Sequence, residues 1–355
     1  MSQSDIYAAN FEQLLRWIYD KPANPKPPPG KRPEFLNANA IQLPTRSRAS
    51  RAIDLLKAGS SQASGAIDEY FSVFAETFEA FRIPVASFDR QTFDEPIVQG
   101  IESLLPYRDE FISVVSAVSR YSSSDDDRHL RRFFEKLIPY MFRPKTVTQY
   151  NDWYWDNFKF VIHEMFLYAV GLLLKHERFD LVWQLMSQGY YVRDALDNSR
   201  EPMHHFGIIR QHMESLTYRN KRLQFNRISL RADMLEKRSH VSGLPFVDLM
   251  QADFVLFFFN SVTSFKENGR ARWWPETLLY YQEYAPPFEI FARSESLRYF
   301  QKVCPLIAVK SKDELGEMFK LFGIQNSPLY LPHWDYFHTL SLPGATNFEK
   351  LATKQ

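Results

Sequence analysis

The chain has 355 residues, with 43 basic and 42 acidic side chains and a formal net charge of +1. This balance excludes a global electrostatic attraction to nucleic acid or to an anionic membrane, so only a local patch could supply one. A hydrophobic share of 45% and an aromatic share of 16% exclude a disordered chain, because disordered segments are poor in both. The length favours two substantial cores, and we expect two packed subdomains.

The cysteine content and the apolar segments bear on the compartment. Cys304 is the single cysteine, so it cannot form an intramolecular disulfide, and a reducing compartment fits. Residues 1–19 lack the basic segment and apolar core of a secretory signal. The longest apolar stretches, residues 166–174 and 254–259, are shorter than the roughly 20 residues that span a bilayer. We therefore expect a cytoplasmic protein without membrane contact.

The first predicted region covers residues 1–57. Apolar residues recur at helical spacing within residues 11–19 and predict a short amphipathic helix. Residues 21–33 (KPANPKPPPGKRP) are basic and rich in proline, which favours an extended connector. A second, short helix is expected over residues 51–57.

The second region, residues 58–241, is predicted to be the central helical bundle. Residues 157–174 become apolar nearly all round, which places them at the centre of that bundle. The segment 179–187 follows after a short turn, as in antiparallel helix pairs. The helices predicted in this region cover residues 66–82, 95–118 with a break at Pro106, 128–141, 157–174, 179–187 and 207–217.

The third region, residues 242–355, has shorter elements and more proline and aromatic residues, and we predict a helical, aromatic-rich subdomain. Residues 249–259 carry no decisive periodicity, and we favour a helix over a strand there. Further helices are predicted over residues 274–284, 294–304 and 312–322, the last capped by Ser311. The predicted fold is mainly α: a multi-helical bundle of two packed subdomains with little or no sheet.

Three stretches resemble parts of known bacterial immune proteins. Residues 11–36 (FEQLLRWIYDKPANPKPPPGKRPEFL) resemble the segment that closes an N-terminal TIR or TIR-like effector domain and leads into a helical C-terminal region. Residues 158–186 (FKFVIHEMFLYAVGLLLKHERFDLVWQLM) resemble a helix pair of such regions. LMQADFVLFFF, WWPETLLYY and FARSESLRYFQKVCPLIAVKSKDEL, within residues 249–315, resemble their closing part.

This resemblance implies the sensor or regulatory region of an antiphage immune protein without its effector domain. TIR enzymes that cleave NAD need a sheet-forming domain with an active-site glutamate, and only its last helix would fit before residue 33. We therefore predict a non-catalytic sensing or protein-interaction module without a cofactor. Its expected partner is an effector or a phage protein, and the sequence leaves homo-oligomerisation open.

The alternative reading as an enzyme depends on Arg200 and His205. An arginine followed after four residues by a histidine is the spacing of HEPN ribonucleases, in which the arginine stabilises phosphate and the histidine transfers protons. Pro202 between them favours a loop rather than the long helix that such sites use. Histidines 204, 205 and 212 lack the spacing of a zinc site, so no metal is predicted.

The second alternative is nucleic-acid binding by the basic run of residues 210–238. On a helix, Arg219, Lys221, Arg222 and Arg231 could present phosphate-contacting side chains, with Phe225 or Tyr218 available for stacking. A solvated helix face or a protein interface explains the same pattern.

Four tryptophans are the candidate binding residues: Trp153, Trp155, Trp273 and Trp274. Tryptophans near helix ends, beside charged side chains, can line a pocket or form the centre of an interface. The competing interpretation is packing in the core.

Overall fold

The computed structural model describes residues 10–11, 43–122, 128–145, 147–192, 202–240, 243–267, 273–281, 285–322 and 347–355. The chain divides into two compact units, Met1–Gln42 and Leu43–Gln355. Apart from Phe11, the predicted helix over residues 11–19 and the proline-rich connector lie outside the described residues. The helices and strands from Arg46 onward belong to the second unit.

The second unit is mainly α-helical, as predicted, and its described residues contain one small antiparallel sheet. In this sheet Tyr190 pairs with His204 and Tyr191 with Met203. The elements in chain order are α1 Arg46–Lys57, α2 Ala63–Thr77, α3 Asp94–Ser103, α4 Leu105–Tyr121, α5 Arg128–Leu137, α6 Asp156–Lys175, α7 Phe179–Ser187, β1 Tyr190–Tyr191, β2 Met203–His204, α8 Glu214–Arg222, α9 Leu230–Ser239, α10 Phe246–Lys266, α11 Glu289–Arg293, α12 Leu297–Val303 and α13 Lys312–Phe322.

Helix α6 lies at the centre of the unit, and every residue from Asp156 to Leu174 is buried. It packs against α3, α4 and α10. Gly171 permits the close approach of the segment that opens α10, because a Cβ atom there would lie 3.0 Å from Leu244 Cδ2 and 3.5 Å from the Asp248 carbonyl oxygen. The central position predicted for residues 157–174 is therefore confirmed.

Two segments among the described residues are long and apolar enough to cross a membrane by length and composition alone. The most apolar 18-residue window of Asp152–Lys175 is 100% buried inside the protein, and that of Phe246–Lys266 is 78% buried. Burial of this kind is what a core helix requires, since an apolar surface all round needs protein on every side.

Helix packing runs across both boundaries that the sequence predicted within this unit. Helix α1, before the boundary at residue 57, packs against α2 and α4, and α10, after the boundary at residue 241, packs along α6. The two compact units of the chain meet between Gln42 and Leu43 in the sequence.

Residues 207–217 do not form the single helix that periodicity predicted. A 3-10 turn covers Phe206–Ile209, the backbone is extended at Arg210 and Met213, and α8 begins at Glu214. The Gln211 carbonyl accepts from the guanidinium groups of Arg210 and Arg231, and the Ser215 N–H donates to the Asp156 carboxylate. In a continuous helix the Ser215 N–H would donate to the Gln211 carbonyl. Here both groups form hydrogen bonds with side chains instead.

Two predictions in the third region are corrected for similar reasons. Residues 274–284 contain a 3-10 helix over Glu276–Tyr280, and the Thr277 N–H in its first turn donates to Asp253. Of residues 294–304, only Leu297–Val303 form an α-helix, α12, and the preceding helix α11 already ends at Arg293. The Ser294 carbonyl accepts from the Ala352 N–H, and the Leu297 N–H donates to the Lys354 carbonyl. Backbone hydrogen bonds therefore join residues 352–354 to the segment between α11 and α12.

Candidate protein-recognition surface

The four tryptophans occupy different environments. Trp155 and Trp273 are buried, and the Trp273 indole Nε1 donates to Asp253 Oδ1 at 2.7 Å. Trp153 is partly exposed and stacks on Phe93 with ring centroids 4.1 Å apart. Trp274 is 39% exposed. Packing in the core accounts for Trp155 and Trp273, which leaves Trp153 and Trp274 with surface that a partner could contact.

His205 caps a 3-10 turn in this structure. Its Nδ1 accepts from the Gly207 N–H at 3.1 Å, immediately after β2. Arg200, the other residue of the ribonuclease alternative, lies outside the described residues. Within the parts of the chain that the structure describes, no group of three or more His, Cys, Asp or Glu side chains is arranged to hold a metal ion.

The basic run of residues 210–238 places most of its cations against carboxylates or in the interior. Arg219 Nη1 and Arg222 Nε lie 2.8 and 2.9 Å from the carboxylate of the buried Asp94, at the start of α3. Both arginines also pair with Glu95, and their hydrogen bonds lower the pKa of that carboxyl. The positive charge available to a phosphate is therefore small here.

Arg231 is buried, and burial lowers its pKa to about 9. Its Nη1 donates to the Gln211 carbonyl at 2.8 Å, beside the buried His163. Its guanidinium is thus part of the interior rather than of a phosphate-contacting face. Lys221 is exposed, and no ion pair is found for it among the described residues.

A buried ionic network joins α4, α6 and α9, and the sequence reading did not identify it. Arg238 donates to Glu164 through Nε and Nη2, both at 2.9 Å, and Arg108 donates to the same carboxylate at 3.1 Å. All three side chains are buried. The signal in the sequence was a glutamate within the most apolar predicted helix, where burial requires an opposite charge. The network holds α9 in place and thereby positions the loop before it.

The loop between α8 and α9, residues 223–229, is closed by the Asn220 side chain. Asn220 Nδ2 donates to the Arg227 carbonyl at 2.6 Å, and Asn220 Oδ1 accepts from the Arg227 N–H at 3.1 Å. The Arg227 guanidinium in turn makes two hydrogen bonds with Asp233 of α9, at 2.6 and 3.0 Å. The loop is therefore tied at its base and to the following helix.

This closed loop, here called the recognition loop, presents two large apolar side chains to solvent. Phe225 is 47% exposed and Ile228 is 78% exposed. Gln224 and Asn226 on either side of Phe225 both have φ of +52°, a left-handed conformation that costs free energy for residues other than glycine. The hydrogen bonds of Asn220 offset that cost. The loop therefore holds exposed apolar groups in a fixed, unfavourable backbone geometry.

Comparison with known proteins gave no assignment: no protein-family model matches the chain, and no curated protein or solved structure shows significant similarity to it.

Proposed function

We propose that this chain is a protein-recognition module whose recognition loop inserts Phe225 and Ile228 into a partner. The observation that carries the proposal is the pre-organised exposure of these two side chains. Following the resemblance stated above, the setting we propose is sensing in bacterial antiphage defence, in the cytoplasm, with an effector or a phage protein as the partner.

The proposed partner is a protein with an apolar cleft bordered by carboxylates. Aromatic side chains seated in apolar pockets dominate the binding energy of protein interfaces. A loop already held in its bound shape loses little conformational entropy on binding. The exposed Lys221 at the base of the loop supplies the positive charge that an acidic cleft rim would complement.

Charge pairing favours a protein partner over nucleic acid at this surface. Arg219 and Arg222 are paired with Asp94 and Glu95, and Arg227 is paired with Asp233. Nucleic-acid affinity depends mainly on cations that neutralise phosphates, and neutralised guanidinium groups contribute little.

The first experiment introduces a photo-crosslinking amino acid at position 225 and, as a matched control, at Val85. Val85 is also about half exposed but lies in a separate 3-10 turn, Val85–Ser87. The chain is co-expressed with candidate effector and phage proteins. We expect a discrete crosslinked protein from position 225 that is absent from position 85.

The second experiment measures the affinity of the purified pair by calorimetry. We expect Phe225→Ser and Ile228→Ser each to weaken binding about 30-fold, the effect of losing roughly 2 kcal/mol at an interface centre. Val85→Ser should bind like the wild type. Unchanged affinity in both loop variants, with wild-type thermal stability, would refute the proposed surface.

A nucleic-acid binding assay distinguishes protein recognition from the nucleic-acid alternative. If RNA or DNA binds in a salt-sensitive manner and Lys221→Glu weakens that binding while Phe225→Ser does not, the surface is electrostatic and the protein-recognition proposal fails.

A further inference from the structure

Ser64, Asp68 and His129 come together where α2 and α5 begin. Ser64 Oγ lies 2.8 Å from His129 Nε2, and Asp68 Oδ1 lies 3.4 Å from His129 Nδ1. Ser64 and Asp68 are one helical turn apart in α2, so both side chains face the same neighbour. His129, from the first turn of α5, contacts each of them with a different ring nitrogen.

The order of these groups is that of a nucleophile, a general base and a carboxylate that orients the base. In the imidazole tautomer that carries its proton on Nδ1, the Nε2 lone pair accepts from the Ser64 hydroxyl, while Nδ1 approaches the Asp68 carboxylate without forming a hydrogen bond to it. His129 is buried, whereas the Asp68 side chain is 54% exposed. The Nδ1–Oδ1 separation is long, as such contacts often are before substrate binds.

The surroundings of Ser64 leave room for a reacting carbonyl group. Ser64 is partly exposed, and a Cβ atom placed on the neighbouring Gly65 would meet no atom within 4 Å. The backbone N–H groups of Ser64 and Gly65, in the first turn of α2, have no backbone acceptor among the described residues. These two N–H groups are donors available to a developing oxyanion.

We infer that Ser64, His129 and Asp68 form a hydrolytic site for surface-accessible carboxylic esters. Ser64 Oγ forms a bond to the ester carbonyl carbon while its proton passes to His129 Nε2. The imidazolium then gives that proton to the departing alkoxide as the ester C–O bond breaks, leaving an acyl-serine and an alcohol. A water molecule attacks the acyl carbon and transfers a proton to His129. His129 returns this proton to Ser64, and the carboxylic acid leaves.

This activity goes beyond the proposed recognition function and uses different residues, so either can fail alone. The site would escape a motif search because Ser64 and His129 are far apart in sequence and the turn lacks the GxSxG pattern.

The test treats the whole chain with a fluorophosphonate probe and maps the labelled peptide by mass spectrometry, with p-nitrophenyl acetate hydrolysis as a second readout. We expect labelling at Ser64 that Ser64→Ala abolishes. His129→Gln, which can still hydrogen-bond to Ser64, should slow labelling by about 10²–10⁴-fold, the usual contribution of a general base. The matched control Ser61→Ala, an exposed serine in the preceding turn, should label like the wild type.

Thermal unfolding of each variant separates lost chemistry from lost structure. If His129→Gln does not fold, Asp68→Asn takes its place, because the exposed Asp68 side chain is not needed in the core, and its labelling should also be slower. A folded wild type that is not labelled at Ser64 would overturn the inference. Labelling at the wild-type rate in a folded His129→Gln or Asp68→Asn variant would overturn it as well.

Discussion

Replacing Glu164 with glutamine removes the carboxylate that two buried arginines share. Arg238 makes two hydrogen bonds to it at 2.9 Å, and Arg108 adds a third at 3.1 Å. Glutamine keeps the side-chain volume but brings an amide N–H₂ group towards guanidinium donors and leaves both cations without this counter-charge. Breaking a buried ion pair by removing one partner costs about 3–5 kcal/mol, and we expect Glu164→Gln to lower the free energy of unfolding by that amount.

Urea denaturation followed by circular dichroism measures this loss, with the slope of the transition compared to confirm that the extent of unfolding is unchanged. The matched control is Glu102→Gln. Glu102 pairs with the same Arg238 at 3.2 Å, but its side chain is 52% exposed, so its loss should cost less than about 1 kcal/mol. If Glu164→Gln and Glu102→Gln lower the free energy of unfolding by the same small amount, the buried charge of Glu164 does not stabilise the protein as argued.

Two further predictions concern ionisable groups whose pKa is raised by burial. Burial raises the pKa of Asp253 from 3.8 to about 6, so the folded protein binds a proton more tightly than the unfolded chain between those pH values. The free energy of unfolding of the wild type, relative to Asp253→Asn, should therefore fall as the pH rises through that interval, and a rise would contradict the assignment. Burial also raises the pKa of the Cys304 thiol to about 11. Iodoacetamide at neutral pH should modify the native protein far more slowly than the urea-unfolded chain, and equal rates would show an accessible thiol.

The helices that the sequence predicted well are those whose stability is local or whose apolar pattern is strong. Helix α7 has the predicted bounds, and α10 is the helix favoured for residues 249–259. The Ser311 hydroxyl accepts from the Glu314 N–H at 3.2 Å, as expected of a cap for α13. Periodicity and capping are properties of neighbouring residues, so a single sequence contains them.

The predicted helix starts were wrong where side chains distant in the sequence accept hydrogen bonds from backbone N–H groups. Asp156 binds the Ser215 N–H, and Asp253 binds the Thr277 N–H, so neither predicted helix begins where its apolar pattern begins. Such carboxylates are indistinguishable in the sequence from solvated ones. The same holds for Arg231, which the nucleic-acid alternative placed among the phosphate-contacting side chains and the structure places in the interior.

The candidate surfaces were only partly visible in the sequence. The sequence offered Phe225 only as one of two aromatic residues, with Tyr218, available for stacking on a base. The hydrogen bonds of Asn220 that close the recognition loop depend on a loop geometry that no residue pattern specifies. The contact of Ser64 with His129 depends on the packing of α2 against α5. Both features need the tertiary structure before they can be recognised.

The burial of α6 also constrains how the protein is made. Its residues leave the ribosome well before α10, which covers one of its faces and begins only at Phe246. During that interval the growing chain carries a long apolar surface without its native cover, the kind of surface that aggregates or is bound by chaperones. Completion of the core must await the last third of the chain, so nascent chains that stop earlier leave an apolar face of α6 uncovered.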